Sequence, residues 1–270
     1  MAVDLHILVL PAFESLPSLP SEVAPWEAAY NLDTEMSVPG APAPLRHDGD
    51  IGVLPTGVGK SAAASTVASV CATLDLADTL VLSVGVAGGP PSLPIGSVVI
   101  AETILDWDLK CRFDDGDPPL ATNPYVGDQG RYELDEDRVD TAYERATHVE
   151  VDAEGERSPV VTTGTNVCGD ELWHGRELAE AVEWLTAERD CPPYRATEME
   201  DAGTATALER FGHLDRYLSI RGIANHDRPT GDTSARASFF DPTFEAGFER
   251  GLANAVAVAR TIVESTHSSR

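Results

Sequence analysis

The sequence predicts an α/β sheet protein built as one large domain, and three observations predict it. Short β-branched runs alternate along the chain with helical patterns. The 270 residues, 42% hydrophobic and 24% charged, suffice for a single generous core. Two glycine turns, "TGVG" at 56–59 and "SVGVAGG" at 83–89, follow apolar runs, as glycines do where adjacent strand ends open onto a crevice.

The elements follow in order. The N-terminal "MAVDLHILVLPAF" has an apolar run but no basic region and no small-residue cleavage site, so residues 5–10 read as a first strand rather than a leader. Residues 51–57, 79–85, 96–102, 158–164 and 217–225 supply the other strand candidates. Helical patterns run over 60–74, 175–189, 200–212 and 244–266, the last with an apolar stripe and Pro242 near its start. "TEMEDAGTATAL" (197–208) sets three acids at what reads as a helix start, where unpaired N–H groups favour negative charge and Thr197 can cap. The stretch 114–157 is acidic with few strong signals and reads as an irregular surface excursion within the single domain 1–270. There is no internal repeat and no low-complexity tract.

Charge narrows the function classes. The 45 acids outweigh 19 bases, giving a net charge of −26 spread along the chain, and such a surface repels nucleic acid and anionic membranes. Lysine occurs only at Lys60 and Lys110. An acidic, lysine-poor surface of this kind suits concentrated salt, where screening relieves self-repulsion, and it reads as that of a halophilic cytoplasm. The melting temperature and the activity are therefore expected to rise together toward molar potassium chloride. Thermal melts across a salt series check this, and a flat or falling midpoint contradicts it.

The four cysteines form no C-x-x-C pair, which points to reduced thiols in a cytosol and to no metal site. The richest apolar stretch, 79–101, is broken by Gly88, Gly89, Pro90, Pro91 and Pro94, so no membrane span is expected. "LPTGVGKSAAA" invites a phosphate-loop reading, but that motif needs glycine where Leu54 stands. What remains is a glycine turn opening a small-residue helix whose N–H groups face a ligand site.

The order of the motifs "SEVAPW" (21–26), "TGVGKSAAA" (56–64), "SVGVAGG" (83–89), "TTGTNVCGDELWHG" (162–175), "TEMEDAGTATAL" and "IRGIANHDRP" (220–229) resembles the purine nucleoside phosphorylase and nucleosidase superfamily, and within it the branch named purine nucleoside permease. The resemblance implies a three-layer single domain with a mixed central β-sheet flanked by helices, a homo-oligomer, and cleavage of the N-glycosidic bond of purine ribonucleosides. Transport is the other activity the branch name suggests, yet a chain without a membrane span cannot carry a solute across a bilayer alone.

Within that resemblance Glu200 matches the residue that clamps both ribose hydroxyls, a charge-assisted bidentate arrangement that also favours positive charge growing on the sugar. Met199 packs on sugar and base, while Glu198 and Asp201 keep the reading of helix-start or surface acids. Asn225 falls where the family places a leaving-group residue. An amide hydrogen-bonds the charge on a departing base without giving up a proton. Superfamily members with asparagine in this role favour 6-oxopurines, so the resemblance implies guanosine or inosine, and Asp227 is the alternative acid. Glu22 and Arg221 match positions that orient water in hydrolytic members.

Trp173 is the first choice for a stacking wall, with Phe13 and Trp107 in reserve. His174 and His226 are candidates for adjusting the base or the sugar's 5′-hydroxyl, and Gly88 is a further substrate-binding candidate. Phosphorylases of the superfamily carry an arginine and a serine around the third strand's glycine turn, and this chain offers Ser83 and Val86 there instead. The remaining phosphate candidates are Gly57, Gly59, Lys60 and Arg46, the last reaching from a neighbouring subunit. Phosphorolysis to ribose 1-phosphate, with phosphate as co-substrate and no cofactor, is the leading expectation. Hydrolysis is the runner-up, and a non-catalytic nucleoside-binding component of an uptake system is the third.

Overall fold

The computed structural model describes residues 3, 5–17, 19–114, 120–152 and 157–268. In chain order they form β1 (Ile7–Leu10), α1 (Ala24–Ala29), β2 (Thr34–Met36), β3 (Leu45–His47), β4 (Ile51–Val53), α2 (Lys60–Thr73), β5 (Leu80–Gly89), β6 (Val98–Asp106) and β7 (Lys110–Arg112). There follow β8 (Leu120–Thr122), β9 (Arg131–Glu133), α3 (Glu136–Ala146), β10 (Val161–Cys168), α4 (Arg176–Glu188), β11 (Tyr194–Glu198), α5 (Asp201–Phe211), β12 (Tyr217–His226), α6 (Ala235–Phe239) and α7 (Phe244–Ser268).

One mixed sheet organises the molecule, ordered β11-β10-β6-β12-β5-β1-β4-β3-β2, with β9 added on β6. Its centre is parallel: β1 pairs with β4 and β5, β5 with β12, and β10 with both β6 and β11, whereas β6 and β12 run antiparallel. A single antiparallel bridge from Thr197 to Gly88 brings β11 back onto β5, so five strands curl toward a closed ring. Helices cover both faces, as the alternation of β12 requires. Tyr217, Ser219 and Arg221 point to α5, while on the other side a Cβ at Gly222 would lie 1.8 Å from the Gly251 carbonyl oxygen of α7. Only glycine allows that approach, and the apolar core fills the layer between α7 and the central strands.

The predicted helices all form within a residue or two of their expected bounds, because each carries a continuous apolar face or a small-residue run. The central strands also form, but β5 and β12 run on to Gly89 and His226, and β6 begins at Val98 and reaches Asp106. The predicted strand 51–57 is regular only to Val53. Beyond it Leu54, Thr56 and Gly57 still donate backbone hydrogen bonds to Val9, Pro11 and Ala12.

Two expectations are corrected. The excursion 114–157 contains β8, β9 and α3 among its described residues. α3 is capped by Asp135, whose carboxylate accepts the Arg138 N–H at 3.0 Å, and it buries Val139, Ala142 and Ala146. That stripe escapes a sequence reading because two of its three members are alanines. Thr197 is not a helix cap either: it lies in β11, and α5 starts at Asp201.

Candidate active site

A cavity of about 290 Å³ opens at the carboxyl ends of β5, β10, β11 and β12, where open α/β sheets hold ligands. The loop after β1 supplies Phe13 and Glu22, and the end of β5 supplies Val86 and Gly88. Trp173 follows β10, and Thr197, Glu198, Met199 and Glu200 bridge β11 to α5. Asn225 and Asp227 close β12, and Phe239 and Phe244 complete the wall. Met199, Glu200, Glu22, Asn225, Asp227, Phe13, Trp173 and Gly88 are thus brought together as the sequence implied.

The acids are ordered by one buried cation. Arg221, 2% exposed, stands behind the cavity wall rather than in it. Its guanidinium binds Asp201 through Nε (3.2 Å) and Nη2, reaches Glu198 Oε2 at 3.1 Å, and approaches Glu200 Oε2 at 3.9 Å. Asp201 also accepts from Ser83 (2.7 Å), Tyr217 (2.8 Å), Asn166 (2.6 Å) and Ser219. Burial opposes its ionisation, but Arg221 and these donors hold Asp201 below the usual carboxylate range. Glu198 Oε2 accepts the N–H groups of Glu200 (2.7 Å) and Asp201 (3.0 Å), doing the capping work at the start of α5. Glu198 and Asp201 are therefore not surface acids but the frame of the site.

Glu200 Oε1 accepts the Gly59 N–H at 3.0 Å, and burial, only partly offset by Arg221, pushes its carboxyl up to about 7. Glu22 is 2% exposed and accepts the Ala12 N–H at 2.7 Å and the Val86 N–H at 3.4 Å. Burial raises its pKa, with Arg221 pulling the other way. The absence of a side chain at Gly85 leaves the space in which Glu22 and Arg221 approach each other.

A bulge between Ile223 and Asn225 places Asn225 opposite Gly88. Its Nδ2 donates to the His226 carbonyl at 2.8 Å, which leaves Oδ1 and one N–H unengaged among the described residues. Asp227 is tied on both oxygens, by Arg228 Nε at 2.7 Å and by the Tyr194 hydroxyl at 2.8 Å. That arrangement suits a fixed acceptor, not a proton carrier.

The phosphate candidates do not assemble. Ser83 is buried against Asp201 and Arg221. The Lys60 ammonium is held by Asp106 at 2.7 Å and Asp108 at 2.6 Å; against the cost of burial these carboxylates raise its pKa to about 12. Arg46 binds Glu14, Glu27 and Glu35 of its own chain. The turn's N–H groups are also taken: Gly57 by the Ala12 carbonyl, Gly59 by Glu200 and Lys60 by Asp170.

Among the expected base-pocket candidates, His174 packs edge-on to Phe239 at 5.7 Å outside the lining, His226 meets the Leu93 carbonyl, and Trp107 is buried behind Trp173 at 6.3 Å. Phe239, Phe244 and Thr197 line the cavity without having been expected. "SFFDPTF" looks like ordinary packing at a helix start, and only the fold of the chain end over β12 reveals its place.

The sequence profile of the purine nucleoside permease family matches residues 4–269, so the chain belongs to that family. No curated protein matches it. Among solved structures it is similar to the 5′-methylthioadenosine/S-adenosylhomocysteine nucleosidase of Neisseria meningitidis in complex with methylthio-immucillin-A, with 20% identity, TM-score 0.70, and 96% of this chain and 98% of that chain covered. It is also similar to the futalosine hydrolase of Helicobacter pylori, with 21% identity, TM-score 0.68, and coverages of 97% and 98%. These likenesses establish the single-domain α/β fold with a mixed central sheet flanked by helices. Among the described residues no helix is long and apolar enough to cross a membrane.

Proposed function

We propose that this member of the purine nucleoside permease family cleaves the N-glycosidic bond of purine ribonucleosides with water as the nucleophile. The observation that carries the choice of nucleophile is the lining of the cavity. It holds four carboxylates, Glu22, Glu198, Glu200 and Asp227, and among the described residues no lysine or arginine. A phosphate dianion entering there finds no cation among the described lining residues to pair with in a low-dielectric setting, whereas a sugar gathering positive charge is favoured beside carboxylates. The nucleosidases and the futalosine hydrolase that share the fold support the same reaction class.

Each step has a residue. Glu200 accepts the ribose hydroxyls, Met199 and Phe13 pack the sugar, and Trp173, Phe239 and Phe244 enclose the base. Glu22 takes a proton from the water that adds to C1′. The purine leaves with the electron pair of the broken bond, and Asn225 hydrogen-bonds the charge on its five-membered ring and on a 6-oxo group. Because Glu22 must be ionised and its pKa lies above the ordinary value, the rate falls as pH drops through that raised pKa.

The test is product analysis of guanosine and inosine turnover with and without phosphate. Free base and free ribose at equal rates in both are expected, and Glu22→Gln is expected to cut the rate by roughly 10²-fold or more. Ribose 1-phosphate formed only with phosphate returns the phosphorolytic reading, and binding without base release returns the uptake component.

Substrate preference depends on Asn225. The wild type is expected to prefer guanosine and inosine over adenosine, and Asn225→Asp to shift the kcat/KM ratio toward adenosine. If Asn225→Ala matches wild type on all three while Asp227→Ala is dead, the leaving-group role belongs to Asp227.

A further inference from the structure

Lys60 of "TGVGKS" belongs to a closed ring of contacts beside Glu200. Its N–H donates to Asp170 Oδ1 at 2.8 Å, the Asp170 N–H donates to Asp108 Oδ2 at 2.9 Å, and the same Asp108 oxygen binds Lys60 Nζ at 2.6 Å. Asp106, at the end of β6, holds Nζ from the other side at 2.7 Å and accepts the Asp108 N–H at 2.9 Å. The ring ties together the loops that follow β4, β6 and β10.

One peptide separates this ring from Glu200. Gly59 precedes Lys60, and its N–H is the donor that holds Glu200 Oε1 at 3.0 Å. Gly57 (φ +87°) and Gly59 (φ +94°) both lie in the left-handed region, so the turn has wide intrinsic freedom and its amide direction must be imposed from outside. Asp170 imposes it. Its Oδ1 lies 3.0 Å from the point a Cβ on Gly59 would occupy, filling the space above the glycine while it fixes the next N–H.

From this geometry we infer that Asp170, with Lys60 and Asp108, is a positioning unit that sets the Glu200 carboxylate for the ribose hydroxyls through the peptide of Gly59. The inference rests on Glu200 being the sugar clamp. Asp170 touches no lining residue of the cavity by this route and acts only through the turn. Its side chain is exposed, so removing it costs the fold little, and a loss of rate reports position rather than stability.

The experiment compares kcat/KM for guanosine and 2′-deoxyguanosine. A small displacement of a clamp costs rate steeply, so Asp170→Ala is expected to lose about tenfold on guanosine but under about threefold on 2′-deoxyguanosine, which lacks the 2′-hydroxyl. Asp170→Asn keeps an oxygen for the Lys60 N–H and is expected to restore wild-type behaviour on both substrates. Lys60→Met is expected to change the substrate ratio in the same direction as Asp170→Ala. Equal losses on the two substrates, or no loss on guanosine, overturn the inference.

Glu200→Gln separates the two readings. If it discriminates between the substrates and Asp170→Ala does not, only the positioning unit falls. If Glu200→Gln does not discriminate, the sugar clamp falls and the inference with it.

Discussion

Glu200→Gln is expected to lower kcat/KM for guanosine by roughly 10²–10³-fold, about 2.7–4 kcal/mol of transition-state stabilisation, while the protein stays folded. The carboxylate is built for one orientation, with Oε1 fixed by the Gly59 N–H and Oε2 near the Arg221 guanidinium. A glutamine fills the same volume and keeps an oxygen for Gly59, so packing is preserved. It loses the charge that two ribose hydroxyls and a cationic sugar require. The loss should fall on kcat more than on KM, because the charge matters most when the sugar is most positive.

The pH dependence carries the same signature. Burial holds the Glu200 carboxyl near about 7, so the clamp is protonated and weakened as pH falls through that value. The limb due to Glu200 is absent from the residual activity of the glutamine variant. Steady-state rates on guanosine from pH 5 to 9 check both points, and near-normal turnover of Glu200→Gln removes the sugar clamp.

Arg221→Met is expected to cost about 3–5 kcal/mol of folding stability at neutral pH, the largest structural effect of any single substitution near the site. The methionine approximates the buried volume, but Asp201, Glu198 and Glu200 lose the cation they share, and Asp201, 0% exposed, cannot reach water. Ser83, Tyr217, Asn166 and Ser219 still donate to Asp201, which limits the loss without neutralising the charge.

The sign of the pH effect follows. In the wild type, the depressed Asp201 pKa contributes stability that is present above its unfolded value and lost as pH falls through the folded one. In the variant, burial without Arg221 raises the folded pKa above the unfolded value. The variant then gains stability as pH falls toward the unfolded pKa, and its deficit widens as pH rises. Urea unfolding at pH 5.5 and pH 8 in constant salt measures this. A deficit independent of pH means that Arg221 is held for packing alone.

Local pattern carried much of the fold. The helices over 60–74, 175–189, 200–212 and 244–266 were legible because each declares itself by a periodic apolar face or a small-residue run within one segment. The central strands were legible from β-branched runs for the same reason. α3 and β11 were not: the buried stripe of α3 is mostly alanine, and "YRATE" alternates too briefly, its place being fixed by β10 beside it.

The candidate site divides along the same line. The residue types and the order of motifs in this sequence determined the α/β class and the acidity of the whole, and pointed to Glu200, Met199, Asn225 and Glu22, which line one cavity. Only the tertiary structure decided that Glu198 and Glu200 face the cavity while Asp201 stands behind it. Asp201 and Glu198 neighbour Glu200 in sequence, yet their roles are set by Arg221 and Ser83, which lie 20 and 118 residues from Asp201. It also showed carboxylate partners for Lys60, Ser83, Arg46 and the Gly59 N–H, four of the five phosphate candidates. A hydrogen bond or an ion pair depends on distance in space, and a single sequence records distance only along the chain.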